Sequence, residues 1–332
     1  MPSSPPGILD QVRADANRVL ASARFVRLVP EAVDAEARSL LDDRPERRVA
    51  AAASDPWAVA TGDDAVPAGD EARVATVVTL AAVNFGSGWH PVVRKLPGCS
   101  GAVTMATHLR RRVAAVGAPT ADWLAGMTTE ATRQLFDQPA GPVDDLMALF
   151  ADALRQLGET VAADHGGSFL SLVEAGGGTA EGLVTVLGHI PTFHDVASLD
   201  GHEVAFYKRA QLAVADLDRA FGGTGPGRFT DLDRLTAFAD NLVPHVLRLD
   251  GVLAFDDGLV ADIEAGRLLA AGGRAEIEIR AAAVAAVDAL VAASAAHGAR
   301  LPAHELDLRL WQRGGRPAYK AVPRHRARSP FY

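Results

Sequence analysis

The sequence is poor in cysteine and in lysine. Its one cysteine, Cys99, excludes a disulfide framework within the chain and a zinc site built from cysteines. A single cysteine is also typical of a reducing compartment. Three of the 33 basic residues are lysines, namely Lys95, Lys208 and Lys320. In a chain this rich in arginine, we expect a lysine to remain where a compact ammonium group is needed and a planar guanidinium would not serve.

Long apolar runs and targeting signals are missing as well. No window offers the roughly 18 uninterrupted apolar residues of a membrane-spanning helix. Residues 1–7 have neither the basic nor the apolar region of a signal peptide. The net charge of −8 argues against a general nucleic-acid-binding protein, because such proteins are basic where they meet phosphates. We therefore predict a cytoplasmic protein with no membrane partner and no direct nucleic-acid partner.

Several common catalytic motifs are also absent. The ten histidines show no H-E-x-x-H or related metal-binding spacing. The glycines at 176–178 are not followed by the Gly-Lys-Ser/Thr of a phosphate-binding loop. No G-x-S-x-G motif indicates a serine nucleophile. The sequence therefore predicts neither a metal site nor a cofactor.

Helical periodicity is the dominant pattern that the chain does contain. With 332 residues, of which 48% are hydrophobic, it can bury a substantial core. The predicted helices cover residues 8–22, 30–41, 71–85, 100–116, 144–164, 168–175, 179–187, 206–217, 232–240, 259–269, 274–296 and 303–310, with a short strand within 25–29. Few strands and no βαβ alternation predict a mainly α-helical fold. We expect a leader and helix at 1–24, then one compact multi-helix domain at 25–332.

Three local predictions bear on this plan. Thr230 and Asp231 are expected to cap the helix at 232–240, which Pro244 would end soon after Asp240. Residues 42–70 are polar and interrupted by prolines, so we predict a long surface loop with Trp57 as its anchor. The tail at 317–332 is basic and aromatic, and no helix is predicted there.

The scarce residue types gather in three segments, at 84–95, 207–241 and 307–332. The first contains the turn N-F-G-S-G-W-H-P, in which two glycines around a serine let the backbone approach another group closely. Asn84, Trp89 and His90 flank this turn. Two interpretations remain open: a helix end with a core tryptophan, or a turn that contacts a ligand.

The second segment carries a carboxylate and an amine. Asp240 lies between Phe238 and Asn241, a setting that would partly bury it, and buried, partnered carboxylates are where perturbed pKa values arise. The alternative is a solvated aspartate at a helix end. Lys208, beside Tyr207, is predicted to contact a ribose or phosphate group; the alternative is a solvated helix face.

The third segment combines a helix end with the tail. Asp307 and Trp311 are four residues apart and share one helix face, either as a core tryptophan beside an aspartate or as a pair in a pocket. The tail carries a basic cluster and two aromatic residues: Arg324, His325, Arg326, Arg328, Phe331 and Tyr332. This cluster is either a solvated basic end or an anion clamp that folds back.

A carboxylate, an amine and aromatic side chains suit the cleavage of a glycosidic bond. The reaction passes through a cation of oxocarbenium character. A carboxylate can stabilise that cation or activate the attacking water, and aromatic rings can stack on a base.

Five motifs resemble the queuosine salvage protein family: F-Y-K-R-A-Q at 206–211, L-T-x-F-A-D-N-x-V-P at 235–244, E-I-R-A at 278–281, D-x-x-L-W at 307–311 and R-H-R-x-R-x-x-F-Y at 324–332. The match extends from about residue 26 to residue 332. Members of the family are queuosine 5′-phosphate N-glycosylases/hydrolases that release queuine. Their largely helical fold is similar to that of DNA glycosylases.

The resemblance implies that Asp240 is the catalytic carboxylate, Lys208 a substrate contact and Phe238 part of the pocket wall. Asp307 and Tyr332 would be further pocket residues. We expect the base to stack among Phe238, Trp89 and Trp311. The predicted substrate-binding set is Lys208, Phe238, Asn241, Tyr207, Asn84, Trp89, His90, Asp307, Trp311, His325 and Tyr332.

The expected activity is hydrolysis of queuosine 5′-monophosphate, which releases queuine for salvage into tRNA modification. Two alternatives stay open. The chain has Gly86–Gly88 where many members have an aromatic pair, and Asp55–Trp57 where a His-Pro is often found. It could therefore be an N-glycosidase for another deazapurine or purine nucleotide. It could also be a non-catalytic module that binds a nucleotide.

Overall fold

The computed structural model describes residues 7–42, residue 59 and residues 68–332. Most of these residues are helical, and the strands are short and paired in two antiparallel two-stranded sheets. The predicted mainly α-helical fold is confirmed. The predicted loop at 42–70, with Trp57, falls almost entirely outside the described residues. The predicted division at residue 25 and the similarity to DNA glycosylases stay predictions.

The secondary-structure elements follow one another in this order: α1 (Ile8–Ala21), β1 (Val26–Leu28), α2 (Pro30–Asp42), α3 (Asp70–Ala82), α4 (Gly101–Val116), α5 (Ala121–Ala125), α6 (Thr129–Leu135), α7 (Asp144–Asp164), α8 (Phe169–Glu174), α9 (Ala180–Gly188), β2 (Val196–Leu199), β3 (His202–Ala205), α10 (Lys208–Phe221), α11 (Val243–Leu249), β4 (Leu253–Phe255), α12 (Asp257–Glu264), α13 (Arg274–Ala296), α14 (Ala303–Gly314) and α15 (Pro317–Lys320). Short 3-10 helices lie at Pro191–Phe193, Gly225–Gly227 and Leu232–Arg234.

Contacts between Cα atoms divide the chain into two compact units. Unit 1 comprises Met1–Pro45, Asp195–Lys208 and Asp233–Arg328. Unit 2 comprises Glu46–His194, Arg209–Leu232 and Ser329–Tyr332. Each unit is therefore assembled from segments that are distant in the sequence.

Helix α13 is the centre of unit 1. Its alanines, valines and isoleucines are buried around most of its circumference, as expected for a helix that is apolar on all sides. It packs against α1, α2, α11 and α14. Within the described part of the chain it is the one helix long and apolar enough to cross a membrane, but 61% of the relevant window is buried inside the fold. A mostly buried core helix passes the same length and composition test.

Beside α13 lies a small hydrophobic cluster that reaches the candidate site. Val12 and Ala16 of α1 pack there with Ile277 and Ala281 of α13. Phe206 and Ala239 belong to the same cluster. Two segments with candidate site residues, 206–208 and 238–241, therefore share one core.

In unit 2 the amphipathic helix α7 is central. Its bounds are those predicted from the sequence, and its apolar face packs against α5, α6 and α3. Phe150 of α7 meets Phe85 edge-on, with ring centroids 4.8 Å apart. The turn that begins near Asn84 is thereby packed on α7.

Three local predictions for residues 230–244 are wrong. Residues 232–240 do not form a helix: the 3-10 turn ends at Arg234, and the chain is irregular until α11 begins at Val243. Pro244 lies in the first turn of α11, where its missing N–H costs nothing, so it opens a helix and does not end one. Asp231 caps a different helix, because its carboxylate accepts from the backbone N of Ala180 at 2.5 Å.

The tail prediction also fails in part, since α15 forms at Pro317–Lys320. Proline again occupies the first helical turn. A helix of four residues is too short to produce a hydrophobic periodicity, so no pattern in the sequence could indicate it.

Candidate active site

Asp240 lies in the irregular segment just before α11. Its side chain is half-buried, and Oδ1 accepts hydrogen bonds from the backbone N of Leu242 at 2.7 Å and of Val243 at 3.2 Å. No described residue donates a hydrogen bond to Oδ2. The carboxylate is thus held by one oxygen, while the other remains available to a bound molecule. This is not the fully solvated aspartate of the alternative interpretation.

Phe238 and Asn241, on either side of Asp240, are anchored to other parts of unit 1. The backbone N of Phe238 donates to Oδ1 of Asp307 on α14, at 2.9 Å. Asn241 donates from Nδ2 to the carbonyl oxygen of His325, at 3.3 Å. Helix α14 and the segment around His325 therefore hold the Asp240 segment from its two ends.

Lys208 is the first residue of α10 and is only 5% exposed, so it does not belong to a solvated helix face. Its backbone N donates to Oδ2 of Asp195 at 3.1 Å. The preceding residue, Tyr207, has a φ of +49°, a left-handed conformation that costs a residue other than glycine roughly 1–2 kcal/mol. The carbonyl oxygen of Asp195 accepts from the backbone N of Tyr207 at 3.2 Å and helps to hold this conformation. Burial raises the pKa of the Tyr207 phenol.

A buried ion pair joins the segment that carries Asp240 to the segment that carries Lys208. Arg280 on α13 donates to both carboxylate oxygens of Asp195, from Nη1 at 3.0 Å and from Nη2 at 2.5 Å. Its third nitrogen, Nε, donates to the carbonyl oxygen of Ala239 at 2.9 Å. The guanidinium also lies 3.9 Å from the ring centroid of Phe206.

Neither Asp195 nor Arg280 is among the site residues predicted from the sequence, although Arg280 lies in the motif E-I-R-A at 278–281. One signal was present: a charged residue within an almost entirely apolar helix has to find a partner when that helix is buried. Nothing in the sequence indicated which carboxylate, since the two residues are 85 positions apart.

His325 is 1% exposed. Burial, assisted by His245 and Arg324 nearby, lowers its pKa to about 3, so the ring is neutral at neutral pH. His325 therefore cannot supply a positive charge to the predicted anion clamp. Its observed contribution is its carbonyl oxygen, which accepts from Asn241.

Arg324 is half-buried and close enough to Asp240 for the two charges to interact. Burial lowers the pKa of Arg324, and the negative charge of Asp240 opposes that shift. Among the described residues, however, the Arg324 guanidinium forms no ion pair and no hydrogen bond. The tail does fold back here, because the backbone N of Leu269 donates to the carbonyl oxygen of Arg326 at 2.8 Å.

Asp307 and Trp311 differ in their surroundings. Asp307 is buried and bonded to the Phe238 backbone, as described above. Trp311 is partly buried and packs against the main hydrophobic core of unit 1, as a core tryptophan does. A pocket role for Trp311 stays a prediction.

The remaining predicted site residues belong to unit 2. Gly86 has a φ of +99°, and the backbone N atoms of Gly86 and Ser87 donate to the carbonyl oxygen of Tyr332 at 3.0 and 3.4 Å. Trp89 and Tyr332 are each 2% exposed. The glycine-rich turn is thus built around the Tyr332 backbone.

Two further residues flank this turn. The backbone N of Asn84 donates to the carbonyl oxygen of Ala81 at the end of α3, at 3.2 Å. The ring of His90 packs so closely on Gly101 that a Cβ atom there would lie 2.6 Å from its Cγ. Substrate contacts by Asn84, Trp89, His90 and Tyr332 stay predictions.

Within the described ranges, no group of three or more histidine, cysteine, aspartate or glutamate side chains is placed to hold a metal ion.

Similarity to known proteins agrees with the motifs. The family described as queuosine salvage protein matches residues 69–332. A protein of Sphaerobacter thermophilus named queuosine 5′-phosphate N-glycosylase/hydrolase is 36% identical over 271 residues, which cover 80% of this chain and 83% of that protein. A mouse protein of the same name is 32% identical over 222 residues, 64% of this chain and 66% of its own length. A Dictyostelium discoideum protein, again of that name, is 32% identical over 213 residues, 64% of this chain and 65% of its own. The chain belongs to the queuosine salvage protein family.

Proposed function

We propose that this chain hydrolyses the N-glycosidic bond of queuosine 5′-phosphate. In this reaction the bond between the base nitrogen and C1′ of the ribose breaks. The oxygen of water bonds to C1′, and a proton goes to the base, so the products are queuine and ribose 5-phosphate. The names of the relatives support the substrate. The observation that carries the chemistry is the half-buried Asp240 carboxylate, with one oxygen fixed by backbone N–H groups.

Asp240 is the group that acts on the ribose. As C1′ loses the base it becomes electron-deficient, and a carboxylate oxygen nearby stabilises that charge or orients the attacking water. The two hydrogen bonds to Oδ1 keep the carboxylate from rotating away. In this proposal Oδ2 faces the sugar.

Two cations serve the phosphate end. Lys208 is buried at the start of α10 and supplies an ammonium group for the ribose or its phosphate. Arg324 lies near Asp240 without an ion-pair partner among the described residues, and a guanidinium binds phosphate through two parallel hydrogen bonds. Phe238 is buried beside Asp240 and forms part of the wall against the base.

The decisive experiment incubates the purified protein with queuosine 5′-phosphate and follows base release by chromatography and mass spectrometry. Asp240→Asn should lower kcat by about 10²- to 10⁴-fold, the usual range for a group of this kind. The matched control is Asp262→Asn, because the Asp262 side chain is 47% exposed and pairs with Arg267 on the surface. Release at the parental rate by Asp240→Asn would show that this carboxylate is not catalytic.

The same assay separates the alternatives. A panel of 7-deazapurine and purine 5′-nucleotides tests whether this chain, with its Gly86–Gly88 turn, prefers a base other than queuine. Binding of queuosine 5′-phosphate without any release of base would indicate a non-catalytic module. We further propose that the reaction is cytoplasmic and that the released queuine is used in tRNA modification.

A further inference from the structure

We propose that the buried ion pair between Asp195 and Arg280 is a positioning device for this reaction, which sets the Asp240 segment against the Lys208 segment. The inference rests on the proposed function, because it assigns the pair a task in that reaction. Neither residue touches the reacting atoms in this proposal. Both act through the backbone of the segments that carry Asp240 and Lys208.

In addition to the ion pair itself, the side chain of each partner bonds to the backbone of a site segment. Arg280 donates to the carbonyl oxygen of Ala239, the residue directly before Asp240. Asp195 accepts from the backbone N of Lys208. A continuous path of hydrogen bonds therefore runs from Ala239 through Arg280 and Asp195 to Lys208, entirely within unit 1.

The geometry favours positioning over simple neutralisation of charge. The guanidinium is planar and rigid, and here its three nitrogens point in fixed directions to the two carboxylate oxygens and to a carbonyl oxygen. A lysine could keep the charge but could not make these three bonds at once. Phe206 and Ala239 also lie in one hydrophobic cluster, so the apolar contacts and the polar path hold the same two segments.

Stability alone is a poor explanation for such a pair. Replacing a buried ion pair by apolar residues of similar volume is often neutral or stabilising, because two charges must lose their water. The pair also lies next to a strained residue. Tyr207 keeps a φ of +49°, and the backbone N atoms of Phe206 before it and Lys208 after it both donate to Asp195. Strain that the surrounding structure maintains is common at functional sites.

Displacing a reacting group by about 1 Å can cost about 10²-fold in rate. We therefore expect Arg280→Lys to lower kcat by about 10- to 100-fold and to change KM by less than about threefold. Asp195→Asn should do the same. The double variant should be little worse than either single variant, because the two residues act as one unit.

The matched control breaks another buried ion pair of unit 1. Arg313 pairs with Glu36, and their side chains, 5% and 8% exposed, are nearly as buried as those of Arg280 and Asp195. Arg313 also donates hydrogen bonds to Asp250 and Ser39, which are not part of the segments at 238–241 and 207–208, so Glu36→Gln should lose stability but keep the parental kcat. A second readout uses Arg280→Ala, in which added guanidinium ion should restore part of kcat.

Rates are normalised to the folded fraction, measured by denaturant unfolding of each variant. Lower kcat in the pair variants, unchanged kcat in Glu36→Gln and rescue by guanidinium support the proposal. Parental kcat in folded Arg280→Lys and Asp195→Asn overturns it, as does an equal loss in Glu36→Gln. If Asp195→Asn does not fold, the kcat of Arg280→Lys and the guanidinium rescue of Arg280→Ala are sufficient to test the proposal. A parent protein that releases no base contradicts the proposed function itself, and so the two failures are distinguishable.

Discussion

Two short segments each carry three of the candidate site residues, and they are held in different ways. In unit 1 the segment 238–241 is fixed by side chains: a carboxylate accepts from Phe238, a guanidinium donates to Ala239, and an amide joins Asn241 to the tail. In unit 2 the turn at 84–90 is held by peptide groups, with Gly86 in a conformation that other residues avoid.

The difference teaches where each segment is vulnerable. Bonds from side chains in unit 1 depend on charge and on a particular donor or acceptor, so they should respond to substitutions that alter only those groups. The turn in unit 2 depends on backbone conformation and space. It should be insensitive to charge and sensitive to an added Cβ atom.

Gly86→Ala is expected to have the largest effect. At φ +99° a side chain is strained, and the new Cβ would lie 2.7 Å from Cδ1 of Leu146. Together, overpacking and strain should lower the free energy of unfolding by about 2–4 kcal/mol. Gly98→Ala is the control, because it also has a positive φ but no atom within 4 Å of the added Cβ. Equal losses in the two variants, measured by denaturant unfolding, would show that space around Gly86 is not limiting.

Asp307→Ala tests the side-chain support of unit 1. It removes the acceptor of the Phe238 backbone N–H in a buried place, a loss worth about 1–3 kcal/mol. Because Phe238 is two residues from Asp240, we expect kcat to fall by about tenfold as well as stability to decrease. Asp307→Asn keeps an oxygen acceptor and should lose less of both. If Asp307→Ala and Asp307→Asn have similar kcat values, the hydrogen bond to the Phe238 backbone does not contribute to catalysis.

The same comparison explains what could be predicted from the sequence. Long helices with sustained periodicity, such as α7 and α13, were predicted with their observed bounds. Lys208 was singled out by the scarcity of lysine, and Asp240 by its place between Phe238 and Asn241; Lys208 is buried and Asp240 is half-buried. Periodicity and motif are local signals, since neighbours within a few positions produce them.

What could not be predicted depends on partners distant in the chain. Asp231 caps α9 from about 50 positions away, and Pro244 reads equally well as the end of one helix or the start of another. Asp195 and Arg280 are paired only by the fold. The side chains that support the Asp240 segment come from α13, α14 and the tail, so no local pattern could reveal them.

His325→Gln should reveal a pH dependence located beside the Asp240 segment. The pKa of His325 is about 3 in the folded chain against 6.5 when unfolded, so below pH 6.5 only the unfolded chain takes up this proton. The contribution of His325 to the free energy of unfolding is therefore nearly constant above pH 6.5 and falls as the pH decreases from there towards 3. Between pH 7 and pH 5 the loss from this one group is about 2 kcal/mol.

The variant lacks this titration. The difference in unfolding free energy between His325→Gln and the parent should therefore shrink by about 2 kcal/mol from pH 7 to pH 5 and stay constant from pH 7 to pH 8. Denaturant unfolding at the three pH values measures it. A difference that is the same at pH 7 and pH 5 would mean that the folded His325 accepts a proton as readily as the unfolded one.

The smallest effect concerns the strain at Tyr207, and it is isolated by comparing two variants that both remove the ring. At φ +49° glycine is unstrained whereas alanine is not, so Tyr207→Gly should be more stable than Tyr207→Ala by about 1 kcal/mol. Within α10 the order should reverse: Gln211→Gly should be less stable than Gln211→Ala by about 1 kcal/mol, because glycine is unfavourable inside a helix. The change of sign between positions four residues apart cannot arise from a general effect of glycine. If alanine is the more stable residue at both positions, Tyr207 carries no backbone strain for Asp195 to hold.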